Sequence, residues 1–115
     1  MIEEICTLIL KDSMGLSPEE TVLVVTDNRL RDIGIAFYEA ARPLCSEAVL
    51  MMMSERSSHG EEPPKLIAEA MKGADVVMMP TYKSLSHTKA RLDACARGAR
   101  IASMPQISED MLSRI

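Results

Sequence analysis

The sequence predicts a three-layer α/β/α protein, in which a short parallel sheet of Rossmann or flavodoxin type lies between two layers of helices. Three observations predict this fold. Short, unbroken runs of apolar residues recur along the chain, as expected for strands buried on both faces. Segments with helical spacing of apolar residues alternate with these runs, which favours parallel pairing through right-handed crossovers. Glycine or proline follows most of these segments and marks their ends.

The first helix and the first strand are predicted near the amino terminus. Apolar residues repeat at spacings of three and four over residues 2–10, which indicates a helix with one buried face. Gly15 then offers the left-handed conformation that commonly ends a helix. The run at residues 21–26 is β-branched and uninterrupted, so we expect it to be a central strand.

The second helix and the second strand follow directly. Asp27 or Asn28 can cap a helix whose inward stripe of apolar residues extends over residues 33–44. The apolar run at residues 48–53 predicts the second strand. It contains three successive methionines, which we interpret as flexible core packing because they continue a strand pattern.

The remaining elements alternate in the same way. A polar stretch separates the second strand from the third helix, and glycine or proline stands at later boundaries. The predicted elements are a helix at residues 66–71, a strand at 75–79, a helix at 90–95, a strand at 100–104 and a last helix from Ser108. This alternation favours the strand order 2-1-3-4. The sheet then has two open edges, which favours self-association into a homo-oligomer.

Length and charge limit the class of protein. The 115 residues have room for one domain, over residues 1–115. The net charge of -4 argues against a polyanionic partner. Phe37, Tyr38 and Tyr82 are the only aromatic residues, so the chain lacks a platform on which bases could stack. We therefore expect no nucleic-acid partner.

The cysteines and the amino terminus indicate a cellular location. Cys6, Cys45 and Cys95 are widely spaced in apolar or helical segments, unlike a disulfide framework or a zinc site. The amino terminus carries acidic residues where a secretory signal carries basic ones. No apolar run approaches the roughly 20 residues that span a bilayer. We expect small buried thiols in a reducing cytoplasm and no membrane association.

The candidate site lies where two loops meet. In open parallel sheets, ligands bind beyond the carboxyl ends of the strands where the strand order reverses, here between the first and third strands. Hydroxyl groups, a lysine and free backbone N–H groups in these loops could hold a carboxylate or a phosphate. The predicted crevice consists of Asp27, Asn28, Thr81, Lys83, Ser84, Ser86 and His87.

Most of these residues also have a structural explanation. Asp27, Ser84 or Ser86 can cap a helix, and Lys83 can be a solvated loop charge. The loop after the first strand lacks the glycines of a dinucleotide or phosphate-loop site. His87 could act as a general base on Ser84, although no third group that would orient it can be named.

A second histidine raises the question of a metal. His59 lies in a loop with Glu61 and Glu62, and histidine with carboxylates is a common ligand set. Their spacing matches no compact metal motif, and such loops are usually solvated. We therefore predict no catalytic, cofactor-binding or metal-binding residue in this chain.

Several segments together resemble a known family. They are VVTD at residues 24–27, HGEEPP at 59–64, IAEAM at 67–71, PTYKSLSHT at 80–88 and GARIASMP at 98–105. With these segments, the chain from Pro18 to Met111 resembles the amino-terminal domain of the aminopeptidase T family of leucyl metallo-aminopeptidases. The resemblance implies peptide substrates and paired divalent metal ions held by a larger carboxyl-terminal domain, with none of their ligands here. It implies a non-catalytic role for this chain in substrate access and oligomer contacts.

Two alternatives remain open. The iron-dependent dihydroxypyridine dioxygenases share an amino-terminal domain of this sort, so this chain could be the corresponding domain of such an enzyme. It could also be a stand-alone module that binds a small anion or metabolite in the predicted crevice.

Overall fold

A four-stranded parallel sheet forms the centre of the protein. The computed structural model describes residues 2–114. All strand pairs are parallel, and the order across the sheet is β2-β1-β3-β4. The strands are β1 (Thr21–Asp27), β2 (Glu47–Met53), β3 (Val76–Met79) and β4 (Arg100–Ser103). The predicted fold class and strand order are therefore confirmed.

Helices cover both faces of this sheet. They are α1 (Ile2–Leu8), α2 (Arg31–Ala41), α3 (Lys65–Lys72), α4 (Lys89–Ala96) and α5 (Glu109–Leu112). A π-helical turn continues α1, and a 3-10 turn continues α2. The helices α1, α2 and α5 pack on one face, whereas α3 and α4 pack on the other. Within residues 2–114, no helix is long and apolar enough to cross a membrane.

The central strand β1 contributes alternate side chains to two separate cores. Val22 and Val24 pack against α1 and α2, whereas Leu23 and Val25 pack against α3 and α4. All four are buried almost completely. Burying a side chain of this size stabilises the fold by about 1.5–3 kcal/mol. Burial on both faces explains why the sequence of β1 is apolar without interruption.

The methionines of β2 differ in their burial. Met53 is 6 % exposed and packs in the core below α3, as predicted, whereas Met52 is 54 % exposed. The prediction of core packing is therefore wrong for Met52. The physical reason is the position of β2 at the outer edge of the sheet.

The cysteine thiols are unpaired and shielded to different degrees. Cys6 is fully buried, and burial, followed by the nearby charge of Glu3, raises the pKa of its thiol to about 12. Burial also raises the pKa of Cys45, whose Sγ donates to the carbonyl of Ala41 at 3.1 Å. Neither thiol is activated as a nucleophile.

Candidate functional site

The crevice lies at the carboxyl ends of β1 and β3, which are neighbours in the sheet. The chain leaves β1 towards α2 on one face and leaves β3 towards α4 on the other. The two loops therefore lead to opposite faces of the sheet, as expected where the strand order reverses, and we call the surface between them the crevice. Residues 28–30 form the first loop and residues 80–88 form the second.

Asp27, at the end of β1, joins the two loops through its side chain. Its carboxylate is fully buried. One oxygen, Oδ1, accepts hydrogen bonds from the backbone N–H groups of Arg29 and Leu30, each at 3.0 Å. The other, Oδ2, accepts from the backbone N–H of Tyr82 at 2.6 Å. Asp27 therefore holds the turn before α2, instead of capping the helix itself, and both of its oxygens already have protein partners.

Two buried threonine hydroxyls also point inwards. The hydroxyl of Thr26 lies 3.0 Å from the carbonyl of Leu30 and 2.9 Å from that of Pro80, so it shares one proton between the two loops. The hydroxyl of Thr81 donates to the carbonyl of Lys83 at 2.6 Å. Thr81 therefore shapes the second loop from within.

Tyr82 forms the centre of a small cationic surface. The guanidinium carbon of Arg29 lies 4.1 Å from the centroid of the Tyr82 ring. The Lys83 ammonium lies 5.2 Å from the same centroid. Both contacts are within the range of cation–π attraction. Two positive charges thus flank one half-buried ring at the mouth of the crevice.

Glu55, just beyond β2, partly balances this charge. Its carboxylate lies 3.5 Å from the Arg29 guanidinium. It also accepts from the side-chain amide of Asn28 at 3.1 Å, and the Asn28 oxygen accepts from the Glu55 backbone N–H at 2.8 Å. Asn28 is therefore engaged with the end of β2. Lys83 has no carboxylate partner among residues 2–114.

The amide groups at the start of α4 are satisfied by the chain itself. The Glu62 carboxylate accepts from the backbone N–H groups of Lys89 at 2.7 Å and of Ala90 at 3.1 Å. The hydroxyl of Thr88 accepts from the backbone N–H of Arg91 at 3.2 Å. A ligand at this helix end would have to displace Glu62.

The three remaining predicted residues, Ser84, Ser86 and His87, lie on the second loop. The Ser84 hydroxyl accepts from the backbone N–H of Ser86 at 3.1 Å. The Ser84 backbone bonds instead to the loop that follows β2. No hydrogen bond joins His87 to Ser84 within residues 2–114, and the ring of His87 is exposed. The groups open to a ligand are thus the Lys83 ammonium, the Ser86 hydroxyl and the His87 imidazole.

Arg29 and Tyr82 are not singled out by the sequence. Both residues lie in the predicted loops, and a basic residue two positions after a buried aspartate is the only local signal for Arg29. The polar segment with His59 and Glu62 is predicted to be solvated, but His59 contacts the second loop and Glu62 contacts the start of α4. Among residues 2–114, no three side chains of His, Cys, Asp or Glu lie together as a metal ion would require.

The fold and the crevice define a doubly wound α/β domain. No protein-family model matches the chain, and no curated protein matches it in sequence. A solved structure, that of 2,5-dihydroxypyridine dioxygenase from Pseudomonas putida KT2440, is similar with a TM-score of 0.80 and 17 % sequence identity. The match covers 98 % of this chain and 36 % of that chain, so this chain spans about a third of the dioxygenase. At this identity the likeness establishes the fold.

The expected membership of the aminopeptidase T family is wrong. The 2,5-dihydroxypyridine dioxygenase, whose structure matches the fold, is not a peptidase, and no comparison supports a peptidase, a metallopeptidase or any other hydrolase. The segments that carried the resemblance have local structural roles. His59 and Glu62 fasten a loop, and Thr81 and Thr88 shape a turn and a helix start. Such roles recur in unrelated parallel α/β proteins.

Proposed function

We propose that this chain is the ligand-binding α/β domain of a protein related to the dihydroxypyridine dioxygenases. It binds a small anionic ring compound at the crevice between the two loops. The likeness of fold over 98 % of the chain supports the comparison with the dioxygenase. The observation that carries the binding role is the Tyr82 ring, flanked by Arg29 and Lys83.

The chemistry of the crevice favours a planar anion. Arg29 and Lys83 supply positive charge, and Lys83 is not neutralised by a carboxylate within residues 2–114. The guanidinium of Arg29 is planar and can stack on a ring as well as bind an anionic oxygen. The exposed imidazole of His87 and the Ser86 hydroxyl can hydrogen-bond to polar substituents. An ionised hydroxypyridine has both the flat ring and the anionic oxygen that these groups match.

The described residues do not fit a metal ion, and this proposal uses none. The His, Cys, Asp and Glu side chains of residues 2–114 form no group of three. The role proposed for the chain is therefore to bind and orient the ligand. Holding the ligand by opposite charge and by stacking requires only the crevice side chains.

The test is a titration of the purified chain with 2,5-dihydroxypyridine, followed by amide chemical shifts. We expect the shifts to concentrate on residues 28–30 and 81–88. Lys83→Ala should weaken binding by about tenfold because it removes a charge that faces the anion directly. Lys11→Ala, at an exposed lysine of the first helical segment, is the matched control and should leave the affinity unchanged.

Two further probes separate the possible outcomes. Inorganic phosphate tests for a general anion site, and pyridine tests for the ring without the anionic oxygen. If phosphate bound as tightly as 2,5-dihydroxypyridine, the proposed preference for an anionic ring compound would be wrong and a small-anion module would remain. If Lys83→Ala and Lys11→Ala bound the ligand equally well, the crevice would not be the binding site.

A further inference from the structure

The connection between β2 and α3 crosses the crevice and is fastened to both of its loops. We call residues 54–62 the strap. It is mostly exposed, and no residue within it is buried. Its attachments are polar contacts at the protein surface, so the strap can detach without exposing either hydrophobic core.

The first attachment joins the strap to the loop after β1. Glu55 exchanges two hydrogen bonds with Asn28, at 3.1 Å and 2.8 Å. The carboxylate of Glu55 also lies 3.5 Å from the guanidinium of Arg29. The beginning of the strap thus contacts one of the two cations beside Tyr82.

The second attachment joins the strap to the loop after β3. The backbone N–H of Ser84 donates to Nδ1 of His59 at 2.9 Å. The backbone N–H of Gly60 donates to the Ser84 carbonyl at 2.9 Å. Both hydrogen-bonding groups of the Ser84 backbone are therefore bound to the strap.

The third attachment joins the strap to α4. The Glu62 carboxylate accepts from the backbone N–H groups of Lys89 and Ala90. A carboxylate at a helix amino terminus is also favoured by the helix dipole. This contact does not depend on the protonation of a histidine, so it can act as the hinge.

Internal contacts make the strap one unit between these attachments. The Glu61 carboxylate accepts from the backbone N–H of Ser57 at 2.6 Å and lies 3.6 Å from the Arg56 guanidinium. Arg56 also donates to the carbonyl of Glu62 at 3.3 Å. Gly60 has a positive φ of 86°, which lets the chain turn sharply beside Ser84. Release at His59 would therefore move the turn at residues 59–60 as a whole.

The bond between Ser84 and His59 requires an unprotonated Nδ1. When an imidazole gains its second proton, both ring nitrogens become donors. Nδ1 of His59 would then place an N–H group against the N–H of Ser84, and the bond would become a repulsive contact. The charged and titratable side chains of the segments in contact here are Glu55, Arg56, Glu61 and Glu62 on the strap and Arg29, Tyr82, Lys83, His87, Lys89 and Asp93 opposite.

We propose that the strap is a pH-sensitive clamp, which holds the second loop of the crevice when His59 is neutral and releases Ser84 when His59 is protonated. Release makes the second loop, including Lys83, more mobile at the mouth of the crevice. The regulation of ligand binding rests on the function proposed above, whereas the movement of the strap occurs without any ligand. The two ideas can therefore fail separately.

The test is nuclear magnetic resonance of the full chain without ligand, from about pH 8 to about pH 5, where histidine gains its proton. We expect an unprotonated Nδ1 at His59 and a protected Ser84 amide at the upper end of this range. As His59 is protonated, hydrogen-exchange protection of Ser84 should fall by about fivefold to tenfold beyond the intrinsic effect of pH.

Two histidine variants identify the group responsible. His59→Gln keeps an acceptor oxygen but cannot gain a proton in this range, so protection of Ser84 should no longer depend on pH. His87→Gln removes the other histidine and should keep the pH dependence of the wild type. Protection that stays constant in the wild type, or that remains pH-dependent in His59→Gln, would overturn the clamp. Wild-type titration alone decides the question if His59→Gln does not fold.

Discussion

Asp27 is the residue on which the geometry of the crevice depends most directly. Its buried carboxylate accepts three backbone hydrogen bonds, two from its own loop and one from the loop after β3. The same contacts set the positions of Arg29 and Tyr82, because each donates its backbone N–H to Asp27. A buried side chain thus brings the cation and the ring together.

Replacing Asp27 should destabilise the protein in a graded way. Asp27→Ala leaves three N–H groups without their acceptor and should lower the free energy of unfolding by about 3 kcal/mol. Asp27→Asn keeps one oxygen for Arg29 and Leu30 but turns an amide group towards the N–H of Tyr82, so it should cost about half as much. Urea unfolding measures both values. Equal stability of the two variants would contradict the role given to the oxygen that accepts from Arg29 and Leu30.

Individual residues of the site were only partly predictable from the sequence. Asp27, Lys83 and His87 were placed at the crevice because the carboxyl ends of neighbouring parallel strands meet at one edge. The partner of Asp27 could not be predicted, since the Tyr82 amide is 55 positions away in the chain. Sequence patterns report local periodicity and do not report which backbone group a side chain meets across the sheet.

At the scale of elements, close contact between α2 and β1 sets the position of the first loop. Gly34 of α2 lies against Thr26 of β1. A Cβ atom on Gly34 would be 2.6 Å from both Cβ and Cγ2 of Thr26, closer than real carbon contacts. Thr26 cannot move away easily, because its hydroxyl is bound between Leu30 and Pro80. The missing side chain of Gly34 therefore lets the helix approach the strand.

Gly34→Ala should destabilise the protein although alanine favours helices. The methyl group would force α2 away from β1, and such overpacking costs about 1–3 kcal/mol. Gly73→Ala is the control, because its added Cβ would meet only the Ala70 carbonyl at 3.7 Å. That variant should remain within about 0.5 kcal/mol of the wild type. Thermal unfolding compares them, and equal midpoints would show that α2 can shift without strain.

The elements themselves were well predicted, and their environments less so. The run at residues 21–26 and the helical stripe at 33–44 fell within or beside the observed β1 and α2 because buried strands and amphipathic helices have distinct periodicities. The exposure of Met52 was not predictable, since an apolar edge strand has the same pattern as a central one. The strap was also missed, because polar loops carry no periodic signal that would indicate docking.

At the scale of the whole molecule, the order of the strands brings the loops after β1 and β3 together. Reversal of the strand order between β1 and β3 places two loops at one opening, and the strap reaches both. The order was predictable because right-handed crossovers leave few economical arrangements. The single domain, homo-oligomer and cytoplasmic location stay predictions, as do the implied divalent metal ions and the lack of a nucleic-acid partner.

At the end of the sheet away from the crevice, an ion pair joins distant parts of the chain near the starts of β1 and β4. Arg100 of β4 donates to both oxygens of Glu20, at 3.0 Å and 2.7 Å. It also donates to the carbonyls of Met14 and Gly15, at 2.9 Å and 3.3 Å. Arg100 thus fastens the segment between α1 and β1 to the last strand. Because these contacts join residues 80 or more positions apart, local sequence patterns could not predict them.

This ion pair predicts a loss of stability in acid. The hydrogen bonds from Arg100, followed by that from the Ser17 backbone, lower the pKa of Glu20 from its ordinary 4.5 to about 2. Because folding lowers the pKa of Glu20, the stabilising effect of its ion pair is complete above about pH 4.5 and disappears as the pH falls through about 2.

Glu20→Gln should therefore lower the stability near neutral pH, by no more than about 1 kcal/mol because Arg100 is partly open to water. The difference from the wild type should shrink over that window in urea unfolding. Glu19→Gln, at the exposed neighbouring residue, is the control and should leave the stability unchanged. A deficit of Glu20→Gln that did not depend on pH would contradict the assignment.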